Sequence, residues 1–393
     1  MKKKVLFIMN NLTCGGAEKA LISLLETMDY SHYDVDLFLL KHEGMFFCKI
    51  PSAVNVLEEP SDYRYFDMSM KKAFQDCLGK GKFKIALNRL LAGFIYKNEK
   101  NSARSEQRAW KYISKSLPNL HTRYDIAVGY LEKNPIYFCI DKVNAGKKLG
   151  FIHSDYNKMG MDAYIDQSYF GKLDHLVTVS EECREILKKN FPMHTEKIEV
   201  MYNIVSPATI HNLALEQVNW PGNELKLVSV GRLNHHKGFE LAIDACKELV
   251  QAGYQVKWYI IGEGEERKNL EKLIAENELK DTFKLIGLKE NPYPYIKAAD
   301  IYIQSSRFEG KSIAVDEAKI LQKPIVVTNF NTAKDQINDH ENGLIVDMNS
   351  KSLFEGIAAL IDNPALRKQF SMQLSNEQLG TESEIHKLYE MFK

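Results

Sequence analysis

The sequence has few cysteines and no arrangement of them that is typical of a metal site. Six cysteines are spread over 393 residues, with no C-x-x-C pair and no His-Cys cluster at zinc-like spacing. They are Cys14, Cys48, Cys77, Cys139, Cys183 and Cys246. We therefore expect thiols that behave as small hydrophobes in a reducing cytosol, and no bound metal.

The sequence also lacks a hydrophobic run long enough to cross a membrane. No stretch of about 18 apolar residues occurs. The apolar run after the N-terminal lysines resembles the start of a signal peptide, but Asn10 and Asn11 end it too early. We expect a cytoplasmic protein, and a peripheral position on the inner face of the cell membrane is a hypothesis taken up below.

Neither sign of charge is in excess. The chain has 52 basic and 52 acidic residues, so its overall charge gives no reason to expect a nucleic-acid partner. Apolar residues make up 45% of the chain and charged residues 26%, as in ordinary soluble proteins. A chain of 393 residues is long for one hydrophobic core and is well suited to two domains.

The order of apolar runs and helical patterns is the same in two parts of the chain. Val5 to Met9 reads as a strand that is followed by a glycine-containing loop, a helix and a second strand, and Leu225 to Val230 opens the same order again. This alternation predicts an α/β protein with two Rossmann-like, doubly wound domains and a ligand cleft between them. We place them at residues 1–203 and 204–375, joined by a linker containing Pro207 and Pro221, with a C-terminal helix over 376–393.

The first half contains a basic insertion at about residues 70–117. Between Lys71 and Lys115 there are twelve Lys or Arg against three acids. Apolar residues recur there at helical spacing: Phe83, Leu87, Leu90, Leu91, Phe94 and Ile95. One interpretation is docking on an anionic membrane surface or capture of a phosphate-bearing lipid acceptor. The other, slightly favoured by the pattern alone, is a helical insertion whose apolar face packs on its own domain.

Two glutamates follow a short strand pattern in the second half. Ile301 to Gln304 reads as a buried strand, Glu309-Gly310 as a turn, and Ser312 to Leu321 as a helix. At about 1.5 Å of rise per residue the carboxylates of Glu309 and Glu317 would lie roughly 10 Å apart, far enough to flank a diphosphate. Such groups would accept hydrogen bonds from sugar hydroxyls, whereas solvated glutamates on a capped helix are the alternative.

Two glycine-rich segments lie after predicted strands in the same half. In Gly231 to Gly238, Arg232 and Lys237 flank a turn from which both cations could reach a phosphate pair. The segment Gly262-Glu263-Gly264 resembles a dinucleotide fingerprint, but Arg267 occupies the position of the third glycine. Binding of a nicotinamide cofactor is therefore not expected.

Two further patterns have a structural alternative. Asp34-Val35-Asp36 has a spacing that some sugar transferases use to hold a metal, but it lies at the start of a strand, and we interpret it as structural. His153 ends an apolar run at a predicted strand end, where a lone histidine is more often structural than functional.

Taken together, these segments resemble the retaining nucleotide-sugar glycosyltransferases of family 4, which have the GT-B architecture of two facing Rossmann-like domains. The resemblance covers nearly the whole chain and follows the order of motifs in the family. It lies in Gly15 to Glu18, Phe151 to His153, Val177 to Glu181, Gly231 to Gly238, Gly262 to Gly264, Glu309 to Glu317, and Glu341 to Val346.

The resemblance implies a role for each matching residue. Arg232 and Lys237 would bind and stabilise the departing diphosphate, Glu309 would hold the transferred sugar, and Glu317 would hold the ribose. His153 would contact the sugar near its reacting face. The remaining expected substrate contacts are the backbones of Gly15, Gly16, Gly262, Gly264, Ile286, Leu288, Gly310, Lys311 and Ser312.

The resemblance also implies the reaction. A hexose-type sugar would move from a nucleoside diphosphate, with UDP as the expected nucleotide, to a cell-surface or capsular polysaccharide or a lipid-linked glycan. No metal and no cofactor beyond the nucleotide sugar would be needed, because two cations and a helix N-terminus offset the developing charge. The alternatives are a catalytically silent nucleotide-sugar-binding partner subunit and a UDP-sugar epimerase of the same architecture.

The chain departs from the family pattern at two places. Lys311-Ser312 replaces the apolar or aromatic residue and the Pro or Gly that commonly follow Glu-Gly, so Lys311 either adds a cation for the donor or points outward. The segment Thr328 to Asp335 lacks the glycine pair common there. The segment Glu382 to Phe392 fits the helix that in this architecture returns to the first domain.

Overall fold

The computed structural model describes residues 2–13, 15–220 and 222–393. The chain divides into two compact units: unit 1 is residues 1–203 with 383–393, and unit 2 is residues 204–382. Two residues of the predictions above, Cys14 and Pro221, lie outside the described residues. Of the other cysteines, Cys48 is exposed and the remaining four are buried, and burial raises the pKa of Cys139 to about 12.

Unit 1 is built on a seven-stranded parallel sheet. Its strands are β1 Lys3–Met9, β2 Tyr33–Leu39, β3 Asn55–Val56, β4 Leu120–Gly129, β5 Val143–Ile152, β6 His175–Thr178 and β7 Ile198–Val200. The order across the sheet is β3-β2-β1-β4-β5-β6-β7, so the direction of winding reverses between β1 and β4. Ligands of doubly wound sheets bind at such a reversal, outside the carboxyl ends of the strands.

The helices of unit 1 cover the sheet and form the insertion. They are α1 Gly16–Thr27, α2 Arg64–Asp67, α3 Met70–Gly79, α4 Phe83–Asn98, α5 Ser102–Ile113, α6 Asn134–Lys142, α7 Tyr156–Met159, α8 Ala163–Phe170 and α9 Glu181–Asn190. The core contains large side chains such as Trp110, Phe138 and Phe170, each at most 1% exposed. The basic segment thus forms three consecutive helices, α3 to α5.

Helix α4 does not bury its apolar face. Phe83 is 65% exposed and Phe94 is 69% exposed, and Leu87, Leu90 and Leu91 are also exposed. The expectation that this face packs on its own domain is therefore wrong. The helix packs instead through small or polar side chains on the opposite side, which include Ala86, Asn88 and Ala92.

The C-terminal segment of the chain belongs to unit 1. Helix Ile385–Phe392 stacks the ring of Tyr389 on Tyr33 at a centroid distance of 4.9 Å. The Tyr389 hydroxyl accepts from the backbone N–H of Asp29 at 2.7 Å, and Lys3 Nζ donates to the Phe392 carbonyl at 2.7 Å. The last helix is thereby fixed beside the first two strands.

Unit 2 repeats the architecture with a six-stranded parallel sheet. Its strands are β8 Leu225–Val230, β9 Val256–Ile261, β10 Phe283–Leu285, β11 Ile301–Gln304, β12 Ile325–Thr328 and β13 Leu344–Val346. Their order is β10-β9-β8-β11-β12-β13, which puts the reversal between β8 and β11. The predicted strand limits of β8 and β11 agree with the structure, because both strands are short, mostly apolar runs.

The helices of unit 2 alternate with its strands. In chain order they are α10 Pro207–Leu213, α11 Phe239–Gln251, α12 Arg267–Glu276, α13 Tyr293–Ala298, α14 Ile313–Ile320, α15 Ser350–Asp362 and α16 Pro364–Ser375, and the C-terminal helix Ile385–Phe392 of unit 1 is α17. Helix α12 begins at Arg267, so Gly262 to Gly264 form a loop before it and not its first turn. Among the helices of the described residues, none has both the length and the apolar character needed to cross a bilayer.

Candidate active site

Lys237 and Glu309 meet at the winding reversal of unit 2. Lys237 lies on the loop after β8, and Glu309 lies on the loop after β11, the neighbouring strand. Lys237 Nζ lies 2.5 Å from Glu309 Oε1, and the two side chains are 18% and 14% exposed. The carboxyl ends of parallel neighbouring strands lie at one edge of a sheet, which explains why residues 72 positions apart in the chain form this pair.

The Glu309 carboxylate is held by further donors from its own loop. Its Oε1 accepts from Ser306 Oγ at 2.5 Å and from Gln304 Nε2 at 3.0 Å. Its backbone is held from the following loop, where Asn331 Oδ1 accepts from the Glu309 N–H at 3.4 Å and Thr332 Oγ1 donates to its carbonyl at 3.2 Å. The carboxylate therefore has a fixed position before any substrate contact.

Glu317 is a buried carboxylate on α14. It is 1% exposed, and its Oε1 accepts from the Tyr293 hydroxyl at 3.1 Å. Burying a carboxylate costs free energy unless hydrogen-bond donors surround it. The burial of Glu317 therefore indicates either a functional role or a set of donors that hold it in place. Glu317 and Glu309 both belong to the segment after β11, at the reversal of the sheet.

The loop after β8 is shaped by a glycine. Gly238 has φ of 61°, and a Cβ atom on it would lie 2.2 Å from the carbonyl oxygen of Ser305. The Ser305 hydroxyl donates to the Lys237 carbonyl at 2.8 Å, which joins the two loops. Arg232, on the same loop, is exposed to solvent.

The two other predicted glycines of unit 2 have a packing reason. A Cβ on Gly262 would lie 1.9 Å from the carbonyl oxygen of Gly231, and one on Gly264 would lie 2.2 Å from that of Leu233. The loops after β8 and β9 therefore need these glycines in order to approach each other. The Gly262 N–H also donates to the Gly287 carbonyl at 3.0 Å, between Ile286 and Leu288.

Lys311 and Ser312 both make contacts within unit 2. Lys311 Nζ lies 3.9 Å from Asp316 Oδ2, and its side chain is 11% exposed, so it does not point outward. The Ser312 N–H, which belongs to one of the backbones expected to contact the substrate, donates to Gln336 Oε1 at 3.0 Å. Gly310, between Glu309 and Lys311, is buried.

The remaining predicted residues lie in unit 1. Gly15 precedes α1 and Gly16 is its first residue, where a Cβ on Gly15 would meet the Glu18 carboxylate at 2.0 Å. His153 follows β5 and packs its ring against Tyr130 at 4.9 Å. Both its ring nitrogens are shielded from solvent, and this burial lowers the pKa of His153 to about 4.

The Asp34-Val35-Asp36 segment has a structural use. Asp36 is 3% exposed, and it accepts from the Tyr124 hydroxyl and from Asn55 Nδ2, each at 2.7 Å. Lys4 Nζ lies 3.6 Å away. Asp36 on β2 thereby links its strand to the adjacent β3 and, across β1, to β4, which agrees with the structural interpretation.

A cavity of about 590 Å³ lies in unit 1 between the end of β1 and the helical insertion. It is lined by Asn10, Asn11, Lys41, Tyr63, Phe66, Asp67, Met70, Arg89, Gly93, Tyr96, Glu106 and Asn134. The Oδ1 atoms of Asn10 and Asn134 are buried and accept no hydrogen bond from the described residues. The lining therefore offers two amide acceptors beside charged and aromatic side chains, a chemistry that suits hydroxyl-rich ligands.

Sequence reasoning missed the residues that position Glu309 and Ser312. Gln304, Ser306, Asn331 and Gln336 are polar, and each is part of a loop or strand end at the same edge of the sheet. A run of polar residues directly after the buried strand β11 was the available signal for Gln304 and Ser306. Nothing in the spacing connects Asn331 or Gln336 to the site.

Comparison with protein families identifies a domain in unit 2. Residues 212–375 match the family model described as Glycosyl transferases group 1. A Campylobacter jejuni N-acetylgalactosamine-N,N'-diacetylbacillosaminyl-diphospho-undecaprenol 4-alpha-N-acetylgalactosaminyltransferase is 28% identical over 222 residues, 56% of this chain and 59% of that protein. A Staphylococcus aureus poly(ribitol-phosphate) alpha-N-acetylglucosaminyltransferase is 24% identical over 271 residues, 66% of this chain and 53% of that protein. The chain thus spans little more than half the length of these relatives.

Comparison with solved structures concerns the fold of the whole chain. TarM of S. aureus, crystallised with UDP among its ligands, superposes with a TM-score of 0.68 at 15% identity and full coverage of both chains. Anabaena HepE in complex with UDP-glucose gives 0.67 at 17% identity, covering 99% of this chain and 98% of that one. Residues 212–375 form a glycosyltransferase group 1 domain, and the chain has the GT-B fold of two Rossmann-like domains.

Proposed function

We propose that this protein is a retaining, metal-independent glycosyltransferase of family 4. It moves a hexose-type sugar from a nucleoside diphosphate donor to a cell-surface or capsular polysaccharide or to a lipid-linked glycan. The observation that carries the proposal is the Lys237–Glu309 pair at the winding reversal of the group 1 domain, with the buried Glu317 on the adjoining helix.

Lys237 and Glu309 have complementary tasks in this proposal. A donor diphosphate competes with Glu309 for the Lys237 ammonium, and Arg232 on the same loop supplies a second cation. Glu309 does not move away when it shares Lys237, because Ser306 and Gln304 still donate to it. The carboxylate then accepts hydrogen bonds from hydroxyls of the transferred sugar.

Departure of the diphosphate is the step that these cations assist. The bond from the anomeric carbon to the diphosphate oxygen breaks, and negative charge grows on that oxygen while Arg232 and Lys237 are beside it. Fixed charges that face developing charge are commonly worth several kcal/mol. In this proposal the departing phosphate takes the proton of the acceptor hydroxyl as the new glycosidic bond forms on the same face.

Glu317 and the loop near Ile286 bind the nucleoside in this proposal. Glu317 accepts from the ribose hydroxyls, and the backbone between Ile286 and Leu288 contacts the base. UDP is the proposed nucleotide, and the complexes of HepE with UDP-glucose and of TarM with UDP support that choice. His153, which is neutral above pH 5 or so because its pKa is about 4, contacts the sugar without carrying charge.

The cavity of unit 1 is our candidate for the acceptor. The named relatives act on a diphospho-undecaprenol-linked sugar and on poly(ribitol-phosphate), which supports a carrier-linked or polymeric acceptor. The unpartnered Oδ1 atoms of Asn10 and Asn134 suit acceptor hydroxyls. Arg89 and Lys41 in the same lining are cations that a phosphate would share with their present partners, which include two backbone carbonyls for Arg89 and Asp67 for Lys41. We place the reaction in the cytoplasm, at the inner face of the membrane.

Donor turnover tests the proposal. Purified protein is screened with UDP- and GDP-sugars for nucleotide release, and Glu309→Gln and Arg232→Ala are compared with Glu355→Gln, a change on the outer helix α15. Turnover of a UDP-sugar that the first two variants lose and the third keeps supports the transferase. UDP binding without turnover by the wild type would favour a silent binding subunit, and a changed sugar still joined to UDP would favour an epimerase.

A further inference from the structure

Helix α4 presents an apolar face to solvent. The five residues of this α4 face are Phe83, Leu87, Leu90, Leu91 and Phe94, and their exposures run from 38% for Leu91 to 69% for Phe94. With 3.6 residues per turn, the five positions fall within an arc of about 100°. On α3, Phe74 and Leu78 add two exposed apolar side chains one helical turn apart.

The exposure of the α4 face does not mean that α4 has lost its contacts with unit 1. The same helix contacts its unit through the opposite side, where Ala86 and Ala92 are buried and Arg89 donates to the carbonyls of Tyr65 and Met68 at 2.8 and 2.7 Å. A helix normally turns its apolar stripe inward, and contiguous exposed apolar surface marks a binding surface. The orientation of α4 is therefore fixed with its apolar side outward.

Lysines are close to the α4 face along the chain, and at 3.6 residues per turn Lys84 and Lys97 border it on either side. From Met70 to Lys100 the chain carries eight Lys or Arg and two acids. Both acids are engaged, since Asp76 pairs with Lys80 at 2.8 Å and Glu99 pairs with Arg108 at 2.7 Å. The exposed lysines Lys71, Lys72, Lys84, Lys97 and Lys100 join no carboxylate within residues 2–13, 15–220 and 222–393.

We propose that the α4 face inserts into the acyl-chain boundary of a lipid bilayer while the nearby lysines contact anionic headgroups. Apolar residues on one side of a helix with lysines at the edges are typical of helices that lie in the membrane interface. A second copy of this chain fits less well, because a symmetric interface would bring the same surplus of positive charge against itself. The proposal deepens the proposed function, since it rests on a lipid-linked acceptor met at the membrane.

The side of α4 away from the α4 face lines the candidate acceptor cavity. Arg89, Gly93 and Tyr96 lie at i, i+4 and i+7 and line the unit 1 cavity. One helix thus has an apolar side for the bilayer and another side on the candidate acceptor cavity. A lipid-linked glycan whose lipid remains in the bilayer can place its phosphate and first sugars in that cavity.

Vesicle flotation with the full chain tests the proposal. We expect the wild type to float with phosphatidylcholine vesicles that contain phosphatidylglycerol and far less with phosphatidylcholine alone. The double variant Phe83→Ser/Phe94→Ser should bind the anionic vesicles at least about tenfold more weakly, because two exposed aromatic anchors are lost. Each of Lys71→Gln, Lys72→Gln and Lys84→Gln should weaken binding by about fivefold.

The matched control is Tyr164→Ser/Met193→Ser, which removes two apolar residues of the same unit that are 87% and 79% exposed. It should bind vesicles as the wild type does. Equal binding by the Phe83/Phe94 variant and the wild type would overturn the proposal, as would failure of the wild type to float. A wild-type dimer in sedimentation without lipid that the Phe83/Phe94 variant loses would instead assign the face to a second copy.

Flotation is measured without donor or acceptor, so it is independent of the transferase assay. Glu309→Gln should float like the wild type even when it no longer turns over a nucleotide sugar. Loss of turnover with intact flotation would therefore count against the proposed function alone. Loss of flotation in the wild type with intact turnover would count against the bilayer proposal alone.

Discussion

Lys237 Nζ and Glu309 Oε1 lie 2.5 Å apart, at the edge of the sheet where the winding of unit 2 reverses. The same oxygen accepts from Ser306 and Gln304, so three donors converge on one atom. This arrangement fixes the carboxylate through its own loop and leaves the lysine as the partner that can be shared. A ligand with negative charge therefore finds a positioned cation and a positioned acceptor at the same place.

In the proposed reaction Lys237 stabilises the departing diphosphate, so Lys237→Ala should lower donor turnover by about 10²- to 10³-fold. It should also lower the free energy of unfolding by about 2 kcal/mol, since the largely buried Glu309 carboxylate loses its counter-charge. Nucleotide release and urea denaturation measure the two effects.

Lys257→Ala is the control for Lys237→Ala. Lys257 lies 3.7 Å from Glu224 in the same unit, and the two side chains are 23% and 30% exposed. Its removal should leave turnover unchanged and cost less than about 1 kcal/mol of stability. If Lys237→Ala lost stability but kept turnover, the Lys237–Glu309 pair would be structural only.

Glu317→Ala should weaken UDP binding by about 10- to 100-fold if the carboxylate accepts from the ribose hydroxyls. Calorimetry with UDP and with 2'-deoxy-UDP separates this role from a general loss of structure. The wild type should discriminate strongly between the two nucleotides, whereas the variant should bind both with similar affinity. A variant that is weakened but still discriminates would show that Glu317 does not contact the 2'-hydroxyl.

Tyr293→Phe provides the companion measurement. The Tyr293 hydroxyl donates to Glu317 Oε1 at 3.1 Å, so its removal disturbs the carboxylate without deleting it. We expect an intermediate loss of UDP affinity, of about threefold to tenfold. A loss as large as that of Glu317→Ala would mean that orientation of Glu317 accounts for the whole effect.

Strands such as β8 and β11 could be predicted from the sequence because buried parallel strands are short runs of mostly apolar residues. Ile301–Gln304 is such a run, and its limits agree with the prediction. The position of Glu309 after that strand and of Lys237 after β8 followed from the same reasoning. The ion pair between Lys237 and Glu309 could not be predicted. The apolar pattern places each residue after a strand, but it does not say which strands are neighbours in the sheet.

The orientation of α4 could not be predicted for a different reason. An apolar stripe at helical spacing is the usual signature of a packed face, and Phe83 and Phe94 belong to such a stripe. The buried side of α4 is instead carried by Ala86 and Ala92, whose small side chains give little hydrophobic contrast. Only packing partners distinguish the two sides, and these are the nearby helices α2, α3 and α5, whose placement against α4 the apolar pattern does not give.

Gly238→Ala should destabilise unit 2 by more than about 2 kcal/mol. Its φ of 61° is unfavourable for alanine, and the new Cβ would lie 2.2 Å from the Ser305 carbonyl oxygen. Because Ser305 also holds the Lys237 carbonyl, turnover should fall as well. Thermal and urea unfolding and nucleotide release are the measurements.

Gly253→Ala separates backbone strain from the contact with Ser305. Gly253 has φ of 87°, and a Cβ there would meet no heavy atom within 4 Å among the described residues. It should cost about 1 kcal/mol and leave turnover unchanged. Equal effects of the two alanines would mean that the close approach of the loops after β8 and β11 is not required.

His153→Gln should change how stability depends on pH. Burial lowers the pKa of His153 from 6.5 to about 4. Between these pH values the imidazole is protonated in the unfolded chain but neutral in the folded chain. The wild type therefore loses stability as the pH falls from 6.5 toward 4, by about 2 kcal/mol once the partial exposure of the residue is allowed for. His153→Gln lacks this loss. Its free energy of unfolding should therefore rise relative to that of the wild type as the pH falls from 7 to about 4.5. His211→Gln, at an exposed position on α10, is the control, and an equal shift in both variants would contradict the assignment.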